Sequence, residues 1–101
     1  MKAAEVIQKY NTNNPYEIAK ISRIVVILEP LGSIKGYYNK ACGQKFIHIN
    51  DDQPVDDRSY IVSHLLYPAL KDQDEMYLLK DRFTTKTAKA ADSFAVNLIK
   101  S

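Results

Sequence analysis

A chain of 101 residues has the length of one domain with a modest core. Its net charge of +2, from 14 Lys and Arg against 12 Asp and Glu, is too mild to make a nucleic acid the main partner, so no direct nucleic-acid binding is expected. No apolar run approaches the roughly 20 residues of a membrane span, no signal-peptide core follows Met1, and the single Cys42 rules out an internal disulfide. These features suit a cytoplasmic protein that does not engage a membrane.

Ala3, Val6, Ile7 and Tyr10 recur at helical spacing and predict an amphipathic helix over residues ~2–10. Asn14 reads as an N-cap, with Pro15 and Glu17 in the first turn of a second helix ending near ~22. Ile24-Val25-Val26-Ile27-Leu28 is a β-branched run that predicts a well-buried strand. Pro30, Gly32 and Gly36 mark the following loop. Gly36–Lys40 and Lys45–Asn50 read as two further strands joined by a hairpin turn at Ala41-Cys42-Gly43-Gln44.

Asn50-Asp51-Asp52 is expected to cap the next helix, with Asp56 and Asp57 in its first turn. That central helix carries Ile61, Val62, Leu65, Leu66 and Ala69 on one stripe, with His64 and Pro68 sharing an adjacent face. Pro68 lacks the N–H that would bond the His64 carbonyl, so the helix should end near Tyr67 or kink. Met76, Leu79 and Phe83 suggest a short helical segment. A cap at Thr84-Thr85 then opens a last amphipathic helix carrying Ala91, Phe94, Ala95 and Leu98. The expected class is α+β: one domain, residues 1–101, with a three-stranded, mostly antiparallel sheet and four to five helices.

Four stretches resemble the ImmA/IrrE family of zincin-like metallopeptidases. They are Asn14-Pro15-Tyr16-Glu17-Ile18-Ala19, the Gly32-Ser33-Ile34-Lys35-Gly36-Tyr37-Tyr38 hairpin entry, Phe46-Ile47-His48-Ile49-Asn50, and Ala91-Asp92-Ser93-Phe94-Ala95-Val96-Asn97-Leu98. They fall in the family's order and span nearly the whole chain. The resemblance implies a zincin-like minimal domain whose zinc-binding H-E-x-x-H corresponds to His64-Leu65-Leu66-Tyr67-Pro68. The catalytic Glu position then holds Leu65, the second His position Pro68, and the acidic ligand position before the last helix's alanine Ala90; the often acidic Ala88 is neutral too.

The expectation is a catalytically inactive member with no catalytic residues, no metal and no other cofactor. One imidazole cannot hold a tetrahedral ion alone, so His64 is expected to be a hydrogen-bonded or partly exposed helix histidine. A cluster of Cys42, His48 and His64 has no paired spacing behind it, and Asp51-Asp52 and Asp56-Asp57 read as helix caps before they read as a cation site. By its resemblance the chain would be a phage or mobile-element regulator, an antirepressor that binds a helix-turn-helix repressor. The alternatives are a metallopeptidase with an atypical metal site and a decayed or truncated peptidase domain. Seven tyrosines and no tryptophan favour a protein-binding surface, and Tyr37, Tyr38, Tyr67, Leu70 and Met76 are the expected partner contacts, with Tyr67 standing in the former cleft.

Overall fold

The computed structural model describes residues 1–101. Two helices come first, α1 (Ala3–Tyr10) and α2 (Pro15–Ile21). The Asn14 side chain accepts from the Tyr16 N–H at 3.0 Å and Pro15 follows it, so the second helix starts at the expected cap. Strands β1 (Val25–Glu29), β2 (Gly36–Ala41) and β3 (Gln44–Asn50) come next. Cys42 and Gly43, both at positive φ (51° and 79°), close the tight β2–β3 turn. The remaining elements are α3 (Val55–Leu70), β4 (Tyr77–Leu79) and α4 (Lys86–Lys100), the last capped by the Thr85 side chain on the Ala88 N–H. No helix is long and apolar enough to cross a membrane.

The α+β class holds, with four helices, but the sheet is open, mixed and four-stranded, in the order β1-β3-β2-β4. β1 runs parallel to β3, with Val25 opposite Phe46; β2 is antiparallel to both β3 and β4. The fourth strand replaces the helical turn expected around Met76. Leu79 is buried and Leu78 points the other way, a period of two that three residues cannot distinguish from a helical spacing. The β-branched run also differs from expectation, because β1 is an edge strand with Val25 and Leu28 exposed rather than a buried one.

The central helix continues past Tyr67 to Leu70, so Pro68 does not end it there. Pro68 sits two residues from the C-terminus, where its missing donor removes one bond and its fully buried ring packs in the core. The helix stops at a Schellman turn. Asp72 adopts φ 56°, its N–H donates to the Ala69 carbonyl, and the Gln73 N–H donates to the Pro68 carbonyl.

The cap expected from Asn50-Asp51-Asp52 is absent: Pro54 is the N-cap of α3 and no side chain bonds there. Asn50 instead turns its buried amide into the β1–β2 loop. It donates to the carbonyls of Gly32 (2.9 Å) and Ile34 (2.8 Å) and accepts from the N–H groups of Leu31 and Asp52. One side chain thereby supplies the polar partners of an otherwise irregular loop.

The helices stack on the sheet face that bears Tyr38, Ile47, Ile49 and Leu79, with α3 crossing β2, β3 and β4 and packing on α4. Alternation places Val25, Ile27, Tyr37, Phe46, His48 and Leu78 on the opposite face.

Candidate functional site

A buried polar network is built on α3 around His64, the residue that the resemblance places first in the zinc motif. His64 is fully buried, and its Nε2 lies 2.8 Å from the Tyr77 hydroxyl on β4. Its Nδ1 faces the hydroxyl of Tyr60, one helical turn earlier, at 3.4 Å. Tyr60 in turn donates to the Asp92 carboxylate on α4. The donor assignment that satisfies every group runs one way: Tyr77 O–H to Nε2, Nδ1–H to Tyr60 Oη, Tyr60 O–H to Asp92. The ring of Phe83 stacks on the imidazole with centroids 5.4 Å apart. Thus α3 supplies the histidine and one tyrosine, while β4, the following loop and α4 close over them.

Enclosure fixes the protonation states. Burial holds His64 far below its usual range, at about 4, and the Asp92 charge offsets only part of that. Burial raises the Tyr60 phenol, helped by its bond to Asp92, and burial raises Tyr77 as well. His64 is therefore neutral in the folded chain. Between the unfolded value near 6.5 and about 4 the unfolded state binds more protons, so stability falls as pH drops through that window and is constant above it. Urea titrations should show His64 contributing a loss of about 3 kcal/mol between pH 7 and pH 4. His64→Gln should flatten that part of the profile; an unchanged profile would mean the imidazole reaches water.

The residues present do not fit a zinc ion. The lone pair of Nε2 is taken by Tyr77, Leu65 and Pro68 have no donor atoms, and no three His, Cys, Asp or Glu side chains are grouped anywhere in the chain. His48 lies on the outer sheet face, stacked on Tyr37 with centroids 4.0 Å apart, its ring nitrogens at 2.7 Å from Glu29 and Asn39. Cys42 is exposed at the hairpin tip. The three residues weighed as a ligand cluster are therefore dispersed.

The remaining positions separate as well. Leu65 is fully buried, its Cδ1 3.2 Å from where a Cβ on Gly36 would stand. Ala90 lines a groove between α1 and α4 together with Tyr67, so the α4 residue that reaches the His64 network is Asp92. Tyr67 is buried against Phe94 with the Lys71 ammonium over its ring, and does not enter the His64 site. Leu70 borders a shallow pocket against α1. Tyr38 is fully buried, donates to the Gln73 carbonyl, and offers no surface.

Met76, 61% exposed, lines a groove of about 730 Å³ with Tyr77, Leu78, Phe83 and Ala88. Tyr77 and Phe83 are at once the floor of this groove and the lid on His64. Tyr37 sits beside Leu78 on the outer face. Of the expected contacts, Met76 directly precedes β4 and Tyr37 pairs with Leu78 within it, whereas Tyr67 and Leu70 lie elsewhere. Sequence reasoning passed over Tyr60, Asp92, Tyr77 and Phe83 as partners of His64. Only the i, i+4 spacing of Tyr60 and His64 signalled any of it.

Comparison with known proteins bears on the whole chain. It is 34% identical over 106 aligned positions to the "Uncharacterized immunity region protein 2" of Bacillus phage phi105, an alignment covering 98% of this chain and 67% of that protein. It is also 34% identical over 67 positions to "Metallopeptidase ImmA" of Bacillus subtilis (strain 168), covering 64% of this chain. The chain belongs to the ImmA-like family. It spans 38% of the length of that metallopeptidase and about two thirds of the phage protein. No family model and no solved structure matches it.

Proposed function

We propose that this ImmA-like chain is a phage or mobile-element regulator that acts by binding a protein, without cleaving it. The observation that carries the reading is the state of His64, whose two ring nitrogens are engaged by Tyr77 and Tyr60 beneath a lid of Phe83. A ligand histidine must offer a lone pair to the metal, and this one gives it to a phenol. Leu65, at the position that the resemblance assigns to the catalytic base, packs into the helix–sheet interface instead. The name of the phage relative, an immunity-region protein, supports a regulatory setting. The partner in this reading is a helix-turn-helix repressor, held as an antirepressor holds it.

The contact surface that fits best is the seam along β4, where exposed Met76 and Leu78 border the groove and Tyr37 flanks it on the outer face. Exposed apolar side chains around a groove supply binding area without chemistry. A second reading, a peptidase with an atypical metal, draws on Asp92, the one carboxylate in the network. An ion there would find only His64 and Asp92 among the usual ligands.

The test mixes the protein with a helix-turn-helix repressor of a phage immunity region and follows operator binding on a gel. The expected result is release of the operator at a fixed molar ratio, an intact repressor band, and no effect of a chelator. Met76→Ala together with Leu78→Ala should weaken release by about tenfold or more. Repressor fragments, or release abolished by chelator, would overturn the binding-only reading.

A further inference from the structure

The two edges of the sheet are treated differently by the sequence. β4 is three residues long and is followed by Lys80, Asp81 and Arg82, the short and charged form that discourages pairing. β1 is longer and is charged only at its Glu29 end. Its five residues pair with β3 in unbroken register, without bulge, proline or lysine, and Val25 (41%) and Leu28 (51%) are exposed along it. Ile21, 56% exposed at the end of α2, stands beside it, since α2 packs on β1. Three of the chain's exposed large apolar residues thus collect at one bare edge.

The backbone of that edge has a definite polarity. The Glu29 carbonyl accepts from the Asp51 N–H at 2.9 Å, so Val25, Ile27 and Glu29 turn their peptide groups toward β3. Val26 and Leu28 therefore turn theirs outward, two N–H and two C=O groups with no strand beyond them.

We propose that two copies of the chain pair antiparallel through β1, with Ile27 opposite Ile27 of the second copy, forming one eight-stranded sheet. In this register Val26 faces Leu28 of the other copy in both directions, and all four outward groups of each strand are bonded. The register centred on Val26 would instead pair Leu28 with Ile24, whose N–H is already given to the Ala19 carbonyl at 2.8 Å. On the helix side exposed Leu28 covers Val26 of the second copy. Charge favours the same arrangement: Glu29 falls opposite Val25 rather than its own copy, and the Arg23 end of one strand lies beside the Glu29 end of the other. A parallel pairing would set like charges together. The contact is small, below the area of a standard interface, so the dimer is reversible and micromolar rather than nanomolar. β4 lies at the far edge, so pairing leaves the Met76 groove open and is independent of the repressor reading.

Sedimentation velocity over a wide concentration range tests this directly. The wild type should move from 11.5 kDa toward twice that mass as concentration rises. Leu28→Lys, at a half-exposed position, should weaken association about tenfold or more with unchanged circular dichroism. A second measurement fixes the register. In a Cys42→Ser background, Ile27→Cys should form an intermolecular disulfide under mild oxidation, because a non-hydrogen-bonded pair brings its side chains close. Val25→Cys, facing Glu29 of the other copy, should not. A monomer at every concentration would overturn the proposal, as would a dimer that tolerates Leu28→Lys or cross-links no better at 27 than at 25.

Discussion

Leu65→Glu should lose about 4 kcal/mol or more of stability and leave little of the chain folded in mild denaturant. The substitution restores the acid that the resemblance assigns to this position, yet the structure gives it nowhere to go. Leu65 is fully buried on α3, against Gly36 of β2, with the apolar side chains of Ile61, Ile49 and Leu66 in the same core. An ionised carboxylate there would be desolvated without a cation or a donor to meet it. A loss of that size removes much of the 5–15 kcal/mol that typically holds a domain together. The buried acid would have a raised folded pKa, so its penalty is largest above the usual carboxylate value of about 4.3 and shrinks as pH falls. That is opposite in sign to the His64 effect, which makes the two separable by denaturation at several pH values. Leu65→Met, which keeps volume and polarity, should lose less than about 1.5 kcal/mol. If Leu65→Glu instead folded within about 1 kcal/mol of the wild type, its side chain would have an exit into the Met76 groove, and the metal reading would reopen.

How far the sequence alone reached can be judged from particular residues. Asn14-Pro15 announced a helix start because a cap is a local device, complete within four residues, and the Cys42-Gly43 turn was equally local. α3 and α4 were legible from periodicity over four turns. What failed depended on neighbours distant in sequence. The run Ile24–Leu28 reads as buried from its composition, but burial is decided by whether a strand lies on both sides, and nothing lies beyond β1. β4 is too short for a period and exists because β2 offers it an edge, Tyr38 facing Tyr77. At the site, Leu65 and Pro68, where the resemblance expects Glu and His, were visible in the string. The network that satisfies His64 was not, because its members come from positions 60, 77, 83 and 92 and meet only when α3, β4 and α4 pack. Tyr67, three residues from His64 on the same helix, faces the α1 side, which no local pattern announces.

Gly36→Ala is expected to destabilise the fold by about 3 kcal/mol, far more than one methyl group suggests. In open space this exchange stabilises by about 0.4–1 kcal/mol, because alanine restricts the unfolded chain. Here no special backbone angle is involved. The added Cβ would stand 2.6 Å from the His48 carbonyl oxygen, 3.0 Å from Ile61 Cγ2 and 3.2 Å from Leu65 Cδ1. The first of these is backbone on the neighbouring strand, so relief requires β2 to shift from β3 at the register point where Gly36 opposes Ile49. The same shift would disturb β4, since Gly36 also opposes Leu79, and with it the placement of Tyr77 over His64. The steric term therefore exceeds the entropic one and acts on the site as well as on the sheet. Gly43→Ala makes a control of different origin: nothing lies within 4 Å of its Cβ position, and its φ of +79° alone should cost about 1 kcal/mol. Chemical denaturation of both variants should rank them in that order. A Gly36→Ala protein as stable as the wild type would mean that α3 packs farther from β2 than 3.2 Å implies, and that the closure of the helix over the sheet is looser than the burial of Leu65 indicates.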